Sequence, residues 1–177
     1  MLSFKDRLTR PYTYIAADWE GDSSAVQTLQ QWNKDFRKSL SFRDAHDLMQ
    51  SRDSSLNCSI KTSLSSRIDE SFRFILIVGN KTSVVRSGAC HLCPSYNSYT
   101  KSCARGRFVD YRSYIDFECE KAVRDGLQIV VLYNSYTIDK SRCPDSVKNT
   151  GTHREMWAWD GSKWIWDYNK ISTAIGQ

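Results

Sequence analysis

Three of the six cysteines in this 177-residue chain crowd into one segment, Cys90-His91-Leu92-Cys93 with Cys103 ten residues on. A C-x-x-C pair followed by a third thiolate could hold zinc if His91 or Cys143 closed the tetrahedron. Only one well-formed ligand pair is present, and His91, next to Cys90, is awkwardly placed to turn onto the same ion. A Cys93–Cys103 disulfide is a competing reading, disfavoured by a reducing compartment, and free thiols in a surface loop are another. The second group with chemistry in it is Glu118, within Tyr114 to Gly126 (YIDFECEKAVRDG). At about 100° per residue it lies about 60° from Ile115, at the border of the apolar stripe. Its carboxylate can therefore reach a cleft while its backbone stays anchored. The plain alternative is a surface pair with Lys121, although Glu120, with Arg124 at i+4, suits that role better. Tyr114 sits one turn earlier on the same side and could stack on a planar ring or wedge helix against sheet. His46 beside Asp44 has the look of an acid–base pair, but adjacent loop polars are usually just solvated.

The elements that would position these groups alternate in type. Tyr12 to Ala17 reads as a strand entering the polar loop Asp18-Trp19-Glu20-Gly21-Asp22. Ser23 or Ser24 would cap a helix with Val26, Leu29, Trp32 or Asn33 and Phe36 on its apolar face. Ser39 to Arg43 is a short second strand, followed by a polar, exposed stretch from Gln50 to Ser55. Leu56, Ile60, Leu64 and Ile68 step by four along a second helix, with Arg67 and Asp69 flanking its end. Phe72 to Val78 is a nearly continuous apolar run, as a central parallel strand covered on both faces requires, and Gly79-Asn80 ends it. Ser113 to Asp125 is helical with Gly126 as its stop, and Leu127 to Tyr133 gives the fourth strand. Such alternation predicts an α/β, flavodoxin-like, three-layer domain around a central, mainly parallel sheet. The loops beginning at Asp18, Asp44 and Gly79 should then converge beyond the carboxyl ends of the strands.

Met156 to Asp167 changes period. Trp157 and Trp159 alternate before Asp160-Gly161, and Trp164 and Trp166 alternate after it, which predicts a C-terminal Trp-rich β-hairpin pairing Trp159 with Trp164 and Trp157 with Trp166. Packing is the favoured role for this ladder, ahead of an aromatic platform for a base or sugar. The whole chain, 1–177, reads as a single domain, with a core of about 12–135, a cysteine-rich insertion of about 84–111, and a hairpin and tail of about 153–177. With 40% apolar and 25% charged residues and no apolar run near bilayer length, the composition is that of a soluble protein and not of a membrane span. Met1 to Arg10 has no secretory apolar core, so a cytoplasmic location is expected. The net charge of +5 is scattered among carboxylates, which argues against nucleic acid as a partner.

Three stretches carry a resemblance. Ser59 to Thr82 (SIKTSLSSRIDESFRFILIVGNKT), the aromatic-x-x-x-Glu helix from Tyr114, and Gln128 to Ser135 (QIVVLYNS) resemble, in order and spacing, the TIR-like domain of ThsB proteins of bacterial Thoeris antiphage defence. The likeness spans roughly Tyr12 to Asn134. Two departures stand out: Tyr114 replaces the Trp that many TIR enzymes place four residues before the glutamate, and Val84 to Tyr111 is longer and richer in cysteine than a minimal loop.

The resemblance implies an enzyme, an NAD glycohydrolase or ADP-ribosyl cyclase, that releases nicotinamide and makes an ADP-ribose-derived, often cyclic, messenger. NAD would be substrate, with no cofactor, and a downstream effector protein would be partner through the diffusible nucleotide; a homo-oligomer also fits. Nicotinamide in NAD is already a cationic leaving group, so what needs stabilising is the positive charge developing on ribose, and one carboxylate, Glu118, can be enough. Asp18, Trp19, Asp44, Gly79, Asn80 and Tyr114 are the expected binding residues, the strand-end loops among them offering amides and short polar side chains to a pyrophosphate. Two other classes compete: a non-catalytic TIR-type interaction module, and a nucleoside base-exchange or deoxyribosyltransferase-like enzyme.

Overall fold

A computed structural model of the chain describes residues 10–38, 40, 42–45 and 56–176. His46 and the stretch from Gln50 to Ser55 lie outside the described residues. Five strands, β1 (Tyr12–Ala16), β2 (Arg43–Asp44), β3 (Ser71–Val78), β6 (Gln128–Tyr133) and β7 (Thr152–Glu155), form one all-parallel sheet in the order β2-β1-β3-β6-β7. This is the flavodoxin-like order expected from the alternation of elements. A small ribbon, β4 (Tyr96–Asn97) with β5 (Ser102–Cys103), stands apart from it.

Alternate residues of the central strands feed opposite layers, because successive side chains of a strand point to opposite faces. Tyr14, Phe74, Leu76, Ile129 and Val131 pack on one face against Leu64 and Ile68 of α2 (Asn57–Asp69) and Ile115, Cys119 and Ala122 of α3 (Tyr114–Arg124). Ile15, Ile75, Ile77, Val130 and Leu132 pack on the other face against Ala25, Val26 and Leu29 of α1 (Trp19–Lys34) and Ile171, Ala174 and Ile175 of α4 (Tyr168–Ile175). The three-layer architecture is thus written in the two-residue period of the strands.

The structure departs from the sequence reading at four places. The second strand is confined to Arg43–Asp44, with Leu40 and Phe42 buried but outside it, where the reading had Ser39 to Arg43. Helix α1 starts at Trp19, not after Ser23 or Ser24, because Asp18 is its N-cap and accepts from the Glu20 amide at 3.3 Å. The helix ends at Lys34, so Phe36 lies past it and is fully exposed instead of on the apolar face. Strand β7 extends the sheet beyond the fourth strand; its sequence, Thr-His-Arg-Glu, is polar because it is an edge strand that needs no apolar face.

The C-terminal hairpin has the expected register, β8 (Trp157–Trp159) on β9 (Trp164–Trp166), with Trp157 opposite Trp166 and Trp159 opposite Trp164. Both indole pairs meet edge-on, with centroids 5.6 and 5.7 Å apart. The inner pair packs against the α1/α4 layer, and both its indole N–H groups donate to Asn134 Oδ1, at 2.8 and 3.2 Å. The outer pair is largely exposed.

Asn134 also donates to the buried Asp22 carboxylate at 2.9 Å, joining hairpin, sheet and α1. The other Asp22 oxygen has no hydrogen-bond partner among the described residues. Burial, with a smaller contribution from Asp18, raises the pKa of Asp22 above the ordinary carboxylate value. The native state therefore holds this proton more tightly than the unfolded chain. Stability from this group is greatest below the unfolded pKa and falls as pH rises through the ordinary value toward the raised one. Asp22→Asn is expected to raise the melting temperature at pH 8 and to change it little at pH 4. The gain should be on the order of 1 kcal/mol, since the helix N-terminus offsets part of the buried charge. Thermal denaturation of both proteins across pH checks this, and a mutant destabilised at pH 8 contradicts it.

Candidate active site

A cavity of about 910 Å³ opens at the carboxyl end of β1, between α2 and α3. Glu118 lines it from the second turn of α3 while being only 6% exposed. Helix α3 is set there by Ser113, which caps it by accepting from the Asp116 amide at 3.0 Å, and by Gly126, whose φ of 73° ends it. The surface pairing of Glu118 with Lys121 does not occur. Lys121 is buried and bridges Asp69 and Asp125, both at 2.6 Å. Glu120 pairs with Arg112 at 2.7 Å, and not with Arg124, which turns to Asp125.

Tyr14, fully buried in β1, donates its hydroxyl to Glu118 Oε1 at 2.5 Å. Burial, followed by the adjacent Glu118 carboxylate, pushes the Tyr14 phenol far above its ordinary pKa. It is consequently a permanent O–H donor that fixes the carboxylate in orientation. Tyr14 stacks on Phe74 with centroids 5.8 Å apart, so the donor itself cannot swing.

Tyr114 forms a wall of the same cavity. Its hydroxyl donates to Asn57 Oδ1 at 3.2 Å, and burial and the nearby thiols of Cys93, Cys58 and Cys90 push its pKa up to about 12. Gly88, with φ of 95°, lets the chain pass directly over this ring; a Cβ there would stand 2.5 Å from it. Tyr114 thus lines the cleft and packs against the turn at Gly88.

Asp18 and Trp19 line the cavity too, at the N-terminus of α1. Asp44 is set behind the wall, where it accepts from Gln30 at 2.7 Å and adds negative potential at the Tyr14 hydroxyl. Gly79 and Asn80 are not brought to the cleft. The Gly79 amide donates to Thr82 Oγ1 at 2.9 Å and its Cα lies against Asp22, while Asn80 accepts from Arg142 at 2.6 Å. From that loop it is Lys81, with Arg86 and Ser87, that reaches the cavity. Sequence reasoning also missed Arg67, which lines the cleft although only 6% exposed. Its Nε has no hydrogen-bond partner among the described residues. One side of the cleft thus carries a buried carboxylate, and Arg67, Lys81 and Arg86 supply positive charge. A ligand with an electron-poor centre and an anionic arm matches that arrangement.

Residues 3–87 match the family profile described as Thoeris protein ThsB, TIR-like domain. Over those residues the chain is similar to the TIR-like domain of the Thoeris ThsB family. No curated protein matches it significantly. The matched residues run from the N-terminal region through β3 to the loop bearing Lys81, Arg86 and Ser87, and include Tyr14, Asp18 and Arg67. Glu118 and Tyr114 lie beyond them, so their role rests on their place in the cleft.

Among the described residues, no helix is long and apolar enough to cross a membrane.

Proposed function

We propose that this cleft binds NAD and cleaves its bond between nicotinamide and ribose, producing an ADP-ribose-derived signalling nucleotide for a partner effector in antiphage defence in the cytoplasm. The observation that carries the reading is the Glu118 carboxylate, buried, oriented by Tyr14 and lining a cavity large enough for a dinucleotide. In the reaction the C–N bond breaks heterolytically, its electron pair leaves with nicotinamide as a neutral base, and the anomeric carbon becomes electron-poor. Glu118 stabilises that charge and accepts hydrogen bonds from ribose hydroxyls as they gain acidity. Water, or a nucleophilic atom of the same ADP-ribose unit, then forms the new bond to that carbon and loses its proton to solvent. Arg67, Lys81 and Arg86 are the groups suited to the diphosphate, and the Tyr114 ring is suited to stack on a planar base. A purely assembling module has no use for a buried carboxylate facing a cavity, which favours catalysis over that alternative.

Incubation with NAD, followed by chromatography and mass spectrometry, tests the proposal. Free nicotinamide is expected, with a second product either of the mass of ADP-ribose or one water lighter if cyclic. Intact NAD, or base exchange confined to other nucleosides, contradicts it. Tyr14→Phe is expected to lower kcat by roughly tenfold or more while moving KM less, because Tyr14 positions Glu118 without touching substrate. A rise in KM at unchanged kcat would assign Tyr14 to binding instead.

A further inference from the structure

The insertion between β3 and α3 builds almost no core of its own. Its ribbon has two residues per strand, and Leu92, Tyr99, Phe108 and Tyr111 are all exposed. A segment that buries so little apolar surface needs another fastening. Its three cysteines and Cys58 of α2 line one small cavity. Cys90 and Cys93 stand at either end of a tight 3₁₀ turn, Cys103 comes from β5 and Cys58 from the first turn of α2, and the cavity has a volume of about 10 Å³, the size of one atom. Leu56 and Phe108 close it from outside.

The sulfurs are held by the main chain. The Asp110 amide donates to Cys90 Sγ at 3.2 Å, and the backbone of Arg105 and Arg107 lies beside Cys103. Backbone N–H groups directed at sulfur are the outer contacts that orient thiolate ligands. Both arginines also bring positive charge beside Cys103. Helix α2 is already tied to both flanks of the insertion: Asn57, next to Cys58, donates to the Ala89 carbonyl at 3.0 Å, and Lys61 donates to the Arg112 carbonyl at 2.7 Å. The two partners suggested by sequence are elsewhere. His91 is exposed and stacks on Tyr111, and Cys143 is buried in the sheet-side core.

We propose that Cys58, Cys90, Cys93 and Cys103 form a structural zinc site that fastens the insertion to the start of α2. Among the described residues no three His, Cys, Asp or Glu groups already stand in coordinating geometry, so zinc must draw the four sulfurs onto itself. Each thiol releases a proton to solvent and keeps its electron pair for the sulfur–zinc bond, with no change of oxidation state. Because Tyr114 is bonded to Asn57 and lies beside three of these thiols, the site would stiffen the Tyr114 wall of the cleft and take no part in the chemistry.

Full-length protein purified under reducing conditions without chelator is expected to contain about one zinc per chain by elemental analysis, as a closed four-cysteine site requires. Cys58→Ser and Cys103→Ser should each lose most of it, and His91→Ala should keep it. Should the serine variants fail to fold, cobalt titration of metal-depleted, reduced wild-type protein gives the answer. Intense tetrahedral absorption with a thiolate charge-transfer band, abolished by added zinc, is the expected spectrum. The proposal is overturned by any of four results: wild-type protein with neither zinc nor that cobalt spectrum, a thiol count showing these cysteines paired as disulfides, full zinc content in Cys58→Ser, or loss of zinc in His91→Ala.

Discussion

Glu118→Gln is expected to reduce nicotinamide release by at least about two orders of magnitude while leaving the fold intact. The amide keeps the shape of the side chain, and its carbonyl oxygen can still accept from Tyr14, so the buried position is filled and partnered. What it lacks is the negative charge that an electron-poor ribose requires. NAD affinity should change far less than kcat, because the interaction strengthens only as the C–N bond breaks. Glu120→Gln is the matched comparison: two residues along the same helix, half-exposed and paired with Arg112, it should leave turnover near the wild-type value. Equal activity in both variants, at unchanged melting temperatures, would remove Glu118 from the mechanism.

Replacing Trp157 and Trp166 together by alanine is expected to cost about 4 kcal/mol or more. These indoles pack on the α1/α4 layer and supply two donors to Asn134, the residue that also holds Asp22. Removing them opens a void and withdraws both donors from one acceptor. The outer pair, Trp159 and Trp164, which the sequence reading weights as heavily, is largely exposed, and its replacement should cost only about 1 kcal/mol. Denaturant titration of the two double mutants separates them. Equal losses would mean that the outer indoles are covered in solution, and loss of NAD turnover from a folded outer-pair mutant would make them a platform after all.

Much of this architecture is legible from periodicity. The run Phe72 to Val78 announces a central strand, and the alternating tryptophans fix the hairpin register, because both signals are local and repeat with the geometry of the element. Helix α3 is equally plain, with Ser113 and Gly126 marking its ends. What escapes is long-range. Tyr14 reads as one more aromatic in a buried strand, and nothing near it reveals that its hydroxyl meets a carboxylate 104 residues away. Arg67 reads as a helix-end cation, since its burial depends on what α3 and the Lys81 loop lay over it. Cys58 sits alone among serines and is joined to the other cysteines only by the crossover that brings the start of α2 to the insertion. Strand β7 escapes for the opposite reason: an edge strand at the end of a sheet has little apolar pattern to betray it.

The role proposed for Glu118 turns on whether this cleft breaks the bond between nicotinamide and ribose. A single-turnover measurement, with protein in excess over NAD, reads that step without depending on the identity of the second product. The expected result is nicotinamide appearing in step with loss of NAD for the wild-type chain and none on the same timescale for Glu118→Gln. NAD that stays intact while bound to wild-type protein, or nicotinamide released equally by both, would contradict it.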